Sequence, residues 1–175
     1  MKREVMGVVL AGGRSARMKS GIAKLVHELC GRPLVSYVAD AVKECGVKQT
    51  IIIVGFDEEN VKQALGEAFT YVRQEEQSGT GHALLQAEPL LRGFEGDVVV
   101  VPGDAPFFGK DVLASLVEKN QRKKAAATIL TAVMPDPGNY GRIVRDRHGE
   151  IIKIGDKIIS HRIVEVTHPT KVTIP

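Results

Sequence analysis

Three short apolar runs, residues 5–10, 50–54 and 98–101, are separated by stretches with helical spacing, and this alternation limits the chain more than any other feature. Runs of strand length that do not alternate in polarity suit a sheet covered on both faces. Residues 33–45 put Leu34, Val38, Ala41, Val42 and Cys45 on one helical face, with Pro33 suited to a first turn and Gly46 to a stop. Asp57 is placed to cap a helix carrying Val61, Leu65 and Ala68. Residues 70–73 read as a short strand, 83–91 as helix and 98–101 as a further buried, β-branched strand. Residues 110–123 form a helix with Val112, Leu113, Leu116 and Val117 inward, and 126–134 a fifth strand. Strands alternating with helices imply a mostly parallel sheet with right-handed crossovers. After Pro135 the pattern changes to short β-like runs at 143–144, 151–152 and 163–166, as in hairpins or a mixed-sheet edge.

At 175 residues the chain fits one domain with a full core. A net charge of +3 permits polyanionic ligands without demanding a nucleic-acid surface, and Arg122-Lys123-Lys124 suits a helix end. Cys30 and Cys45 lack metal or redox spacing and read as small buried hydrophobes in a reducing compartment. The apolar stretch near the N-terminus is too short for a secretion signal or a membrane span, so a cytoplasmic location with no membrane partner is expected.

In an open α/β sheet, ligands bind beyond the carboxyl ends of the strands. Three loops leave such ends: residues 11–24, 74–81 and 102–106. In the first, Leu10, Ala11, Gly12 and Gly13 bring backbone N–H groups to an anion, Arg17 offers a planar charged fork and Lys24 a compact second charge. The spacing is neither that of a Walker loop nor GxGxxG. In the second, the amides of Gln74 and Gln77 carry both donor and acceptor, which matches the N3–H and O4 edge of uracil. A helix beginning near Gly81 aims its N-terminus at the same region. In the third, Asp104 follows a strand, where a carboxylate can hold Mg2+ against a triphosphate. Singly, each is also what an ordinary polar turn contains, and His82 suits hydrogen bonding at a helix start.

Residues 10–33 read LAGGRSARMKSGIAKLVHELCGRP. This resembles the signature LAGGxGTRMxSxxPKxLxxLxGKP of the nucleotide-diphosphate-sugar pyrophosphorylases, and within them the uridylyltransferase domain of the bacterial UDP-N-acetylglucosamine pyrophosphorylases. Residues 74–83, QEEQSGTGHA, are similar to that family's Q-x-x-x-x-GTGHA, and residues 140–146 to its YGRIxRD. The resemblance implies a three-layer, Rossmann-like nucleotidyltransferase fold, here incomplete at the C-terminus. It divides a single domain, residues 1–175, into a nucleotide half, 1–135, and a partial sugar region, 136–175. It implies that Gln74, Gln77 and Gly79 contact uracil, that Thr80 lies near the sugar, that Asp104 holds Mg2+, and that Gly141 and Asp156 approach the amino sugar. Its reaction joins UTP to N-acetylglucosamine-1-phosphate with release of pyrophosphate. Three departures stand out: Ser15-Ala16 replaces Gly-Thr, Ala23 replaces the Pro before Lys24, and Pro102 replaces a frequent Tyr.

The match ends near Ile154, and nothing after Ile158 fits. The family's N-T-G segment, second metal ligand and β-helix acetyltransferase domain have no counterpart. A truncated chain, a frame-shifted or degraded gene and a genuine short relative all remain open, each with an intact nucleotide half and a weakened sugar half. Two other readings stand beside the first. Molybdenum-cofactor guanylyltransferases share L-A-G-G-x-S-x-R-M, which Ser15 fits, and a catalytically impaired nucleotide-binding module fits the short C-terminus. Homo-oligomers also stay open: an apolar remnant favours self-association, unless Val164, Val166, Val172 and Ile174 cover it.

Overall fold

The computed structural model describes residues 3–13, 21–136, 138, 141–154, 157–158 and 163–168, the last two stretches by backbone alone. Two compact units divide at Ala114 and Ser115.

The first unit opens with β1, Val5–Ala11. A 3-10 turn at Lys24–Val26 leads to a two-residue hairpin, β2 (Glu28–Leu29) and β3 (Arg32–Pro33). Helix α1 (Leu34–Glu44), strand β4 (Gln49–Val54), helix α2 (Glu58–Leu65) and strand β5 (Thr70–Arg73) follow. Two short helices, α3 (Thr80–Leu85) and α4 (Glu88–Leu91), precede β6 (Asp97–Pro102). The sheet has the order β5-β4-β1-β6, and every pairing is parallel. All four carboxyl ends therefore lie along one edge.

Both faces of this sheet are covered, which makes three layers. Met6, Val8, Ile51 and Ile53 form a core with Ala83 and Ala87 of the α3–α4 region. Alternate residues face α1, where a Cβ on Gly7 would strike Val42. The apolar stripe of α1 is Val35, Val38, Ala39 and Val42, a 3.6-residue period shifted from the expected one. Leu34, Ala41 and Cys45 are only half-buried. Gly46 ends the helix at φ +93°, as expected.

Four other expectations need correction. Helix α2 stops at Gly66, so Ala68 lies outside it and is exposed. The single helix expected at 83–91 is two, because the chain turns at Gln86 and Ala87. Strand β6 is not buried throughout: Val99 and Val101 are covered, whereas Val98 and Val100 on its other side are 40% and 38% exposed. These two share a sheet face with Met6 and Val8, and β6 is an edge strand of the four. Cys30 is exposed, at φ +52° in the β2–β3 turn, because that hairpin projects it outward.

Helix α5, Lys110–Lys123, spans the boundary between the units, with Leu113 and Val117 buried. In the second unit, β7 (Ala127–Ala132) pairs in parallel with β11 (Ile163–His168) as a two-stranded sheet. The expected fifth strand thus has β11 as its partner. Between them, β8 (Ile143–Arg145), β9 (Ile151–Ile154) and β10 (Lys157–Ile158) form an antiparallel meander, the expected hairpins.

Candidate functional site

At the carboxyl edge of the first unit's sheet, the chain leaving β1, β5 and β6 encloses a crevice of about 370 Å³. Gly12 and Gly13 line it after β1, Gln74, Gln77, Gly79 and Thr80 after β5, and Asp104 after β6. Leu10, Leu25, Ala83 and Pro102 supply its apolar wall.

Gln74 is the most constrained member, only 4% exposed. Its backbone N–H donates to Val54 O at 2.8 Å, which continues the β4–β5 pairing one residue past the strand. Its side-chain Nε2 donates to Gly79 O at 3.3 Å and lies 3.1 Å from His82 Nδ1. Gln86 Nε2 donates to His82 O at 3.1 Å and lies 3.3 Å from His82 Nε2. A neutral imidazole offers a single acceptor nitrogen, so the ring accepts from only one of the two amides that flank it, Gln74 or Gln86. With Nε2 donating to Gly79 O, Gln74 keeps its oxygen as an acceptor. That oxygen lies against Gly12, where a Cβ would come within 2.9 Å of it. Gly79 stands at φ +100°, a conformation that a side chain would strain.

The charges meet opposite these amides. Lys24 opens the 3-10 turn, directly before the buried Leu25. Its Nζ donates to Asp104 Oδ2 at 3.1 Å. The two side chains are 36% and 50% exposed, so solvent screens the pair and it contributes little to stability. Its significance is that one cation and one carboxylate stand together at the crevice. The Asp104 turn is held to β1 by Gly103 N–H, which donates to Leu10 O at 2.9 Å.

Of the residues expected from sequence, Leu10, Gly12, Gly13, Gln74, Gln77, Gly79, Thr80 and Asp104 all line the crevice, and Lys24 reaches it through Asp104. Ala11 is fully buried and does not line it. Gly141 is exposed in the second unit. Arg17 and Asp156 lie outside the described residues. Helix α3, with six residues, is too short for a strong dipole. Gln86 and Leu25 carry no local signal in the sequence: Gln86 bears on the site through His82 O a turn away, Leu25 through apolar wall alone.

Asp57 is a further correction. It precedes α2 as expected but makes no side-chain cap, and its backbone is left-handed at φ +62°. Its Oδ2 accepts from Ala23 N–H at 2.7 Å instead, and its Oδ1 from Asn60 Nδ2 at 2.6 Å.

Among the described residues no group of three or more His, Cys, Asp or Glu side chains could hold an ion. That excludes a closed protein cage among them but fits Mg2+, which is commonly held by one or two carboxylates with substrate phosphates completing its shell. No helix among the described residues is long and apolar enough to cross a membrane.

A family model for the MobA-like NTP transferase domain matches residues 7–150. The bifunctional protein GlmU of Geobacillus thermodenitrificans is 44% identical over 155 residues, which is 89% of this chain and 33% of that protein. The GlmU protein of Thermoanaerobacter pseudethanolicus is 44% identical over 147 residues, 84% of this chain and 32% of its own. The chain thus spans about a third of the length of these curated relatives. Among solved structures, a UDP-glucose pyrophosphorylase from Acinetobacter baumanii superposes with a TM-score of 0.70 over 90% of this chain and 68% of its own, at 20% identity, a likeness of fold.

Proposed function

The chain belongs to the family of MobA-like NTP transferase domains, and from that premise we propose that it transfers UMP from UTP to N-acetylglucosamine-1-phosphate, giving UDP-N-acetylglucosamine and pyrophosphate. One observation carries this reading: the buried Gln74 amide, the glycine backbone after β1 and the Lys24–Asp104 pair share one crevice. The likeness to the GlmU proteins supports it.

The amide geometry supports a uridine nucleotide. Gln74 offers an acceptor oxygen, and uracil has a donor at N3 whereas cytosine has an acceptor there. Gln77, Gly79 and Thr80 complete the base and ribose side, and Leu10, Gly12 and Gly13 the phosphate side, with Ala11 packed behind them.

In the reaction, an oxygen of the sugar phosphate attacks the α-phosphorus of UTP in line and the bond to pyrophosphate breaks. No covalent enzyme intermediate is needed, so catalysis is positioning plus charge stabilisation. Arg17 holds the β- and γ-phosphates of the leaving group, and Lys24 neutralises the α-phosphate as charge builds. Nucleotidyltransferases of this type generally use a divalent metal. Mg2+ on Asp104 is the choice proposed here; when bound, it supplies charge neutralisation between the phosphate groups. Residues 1–135 then serve as the nucleotide half, and Gly141 and Asp156 approach the amino sugar. Cytoplasmic work on soluble substrates, without nucleic acid, is part of the proposal, and self-association is compatible with it.

The test is pyrophosphate release from UTP plus N-acetylglucosamine-1-phosphate, with and without Mg2+, beside titrations with UTP, GTP and CTP. Metal-dependent release and tightest binding of UTP are expected. No release in any combination, or tightest binding of GTP, overturns the reading.

A further inference from the structure

A residue at the start of a helix, with an extended backbone, ordinarily turns its side chain onto the first N–H groups of that helix. Asp57 does neither, holding φ +62°, ψ +37° without a cap bond. Aspartate tolerates this region better than most residues, yet it is still a sparsely used one. The conformation sends the carboxylate to Ala23, 34 positions away in sequence, while Asn60 fixes the second oxygen. The bond to Ala23 N–H is short, 2.7 Å, and partly buried, so it is little weakened by solvent.

What it holds is the residue directly before Lys24. Ala23 is fully buried, with φ −61° and ψ +140°. That φ is the one a proline ring enforces. An alanine has no ring to enforce it, but it has the N–H that proline lacks, and Asp57 captures that N–H. The same turn also holds the other flank of the first loop, because Phe56 N–H donates to Gly12 O at 3.2 Å. Residues 56 and 57 thus grip the chain at Gly12 and at Ala23.

We propose that Asp57 is a positioning residue: through Ala23 it sets the start of the 3-10 turn, so that Lys24 stands opposite Asp104 rather than sampling the solvent. The inference rests on the role given to Lys24 under the proposed function. It also assigns Asp57 and Ala23 as a matched pair, a hydrogen bond doing the work of a ring.

The experiment compares Asp57→Ala, Asp57→Asn and the double variant Asp57→Ala/Ala23→Pro with the wild type, reading kcat and KM for UTP, the melting temperature, and hydrogen exchange at the Ala23 amide in the two single variants and the wild type. A displaced cation of this kind is expected to lower kcat about tenfold in Asp57→Ala, with KM changed less than about threefold. Asp57→Asn, which still accepts, keeps most of the activity. The double variant regains kcat to within about threefold of the wild type, since the ring restores φ. A merely structural role would not be repaired by proline at residue 23. Wild-type kcat in Asp57→Ala, or a double variant no better than the single one, overturns the proposal. A wild type that releases no pyrophosphate ends the functional reading instead. The clasp itself is then judged on exchange: faster exchange of the Ala23 amide in Asp57→Ala supports it, and unchanged exchange overturns it.

Discussion

Lys24 Nζ lies 3.1 Å from Asp104 Oδ2, across 80 positions of sequence, and this contact joins the loop after β1 to the loop after β6. On the proposed mechanism the cation matters most when charge builds on the α-phosphate. Lys24→Ala is therefore expected to abolish measurable turnover, a loss on the order of 3 kcal/mol or more in the barrier, while UTP still binds. Pyrophosphate release and calorimetry with UTP check the two halves of this statement. Unchanged turnover would remove Lys24 from the mechanism.

Metal removal tests Asp104. Chelation should stop turnover, and added Mg2+ should restore it. In Asp104→Asn, which keeps the size but loses the charge, the Mg2+ concentration for half-maximal rate should rise at least about tenfold, as hard cations favour carboxylate oxygen. A rate indifferent to chelator would refute the metal's part.

Gly12 has no room for a side chain beside the Gln74 oxygen and Val54 O. Gly12→Ala should displace the amide or the loop, at roughly 1–3 kcal/mol of strain. UTP affinity should fall about tenfold or more if that strain is released by moving Gln74. Calorimetric titration measures it, and wild-type affinity would show that the loop gives way harmlessly.

His82→Ala removes the ring nitrogen that lies 3.1 Å from Gln74 Nε2. The amide is then free to turn, presenting nitrogen as well as oxygen to the ligand. The ratio of UTP to CTP binding should drop severalfold more than UTP binding alone. An unchanged ratio in parallel titrations would mean that Gly79 O suffices to orient Gln74.

The cysteines differ in exposure. Cys30 is exposed, whereas burial raises the Cys45 thiol above its usual range and its Sγ donates to Val42 O at 3.0 Å. A raised thiol pKa means less thiolate at a given pH, so a disulfide reagent at pH 8 should modify Cys30 at least about tenfold faster than Cys45. The slow phase should accelerate as pH rises toward the shifted Cys45 value. Mass mapping of the labelled peptides assigns the phases, and equal rates would contradict the burial.

The legible part of this chain was what repeats locally. The run of Ile51, Ile52 and Ile53 announces a strand covered on both faces, and all three are fully buried. Glycines after β1 and glutamines after β5 announced a ligand edge because parallel strands bring their carboxyl ends together. The stripe of α1 was misplaced by a residue, since Leu34 and Val35 are equally apolar and only contact with the sheet distinguishes them.

The sequence by itself determined the elements and the loops that carry the chemistry, because periodicity and glycine placement are properties of a chain against its own backbone. The tertiary structure alone decided partners. Asp57 has the local signature of a helix cap and anchors Ala23 instead; β7 has that of a fifth strand and pairs with β11; the Gln74 amide donates to Gly79 O. Each of these is a choice among several acceptors or edges of similar local chemistry. Such a choice is made only when the sheet has brought distant residues within hydrogen-bonding reach, where the bond formed depends on position more than on residue type.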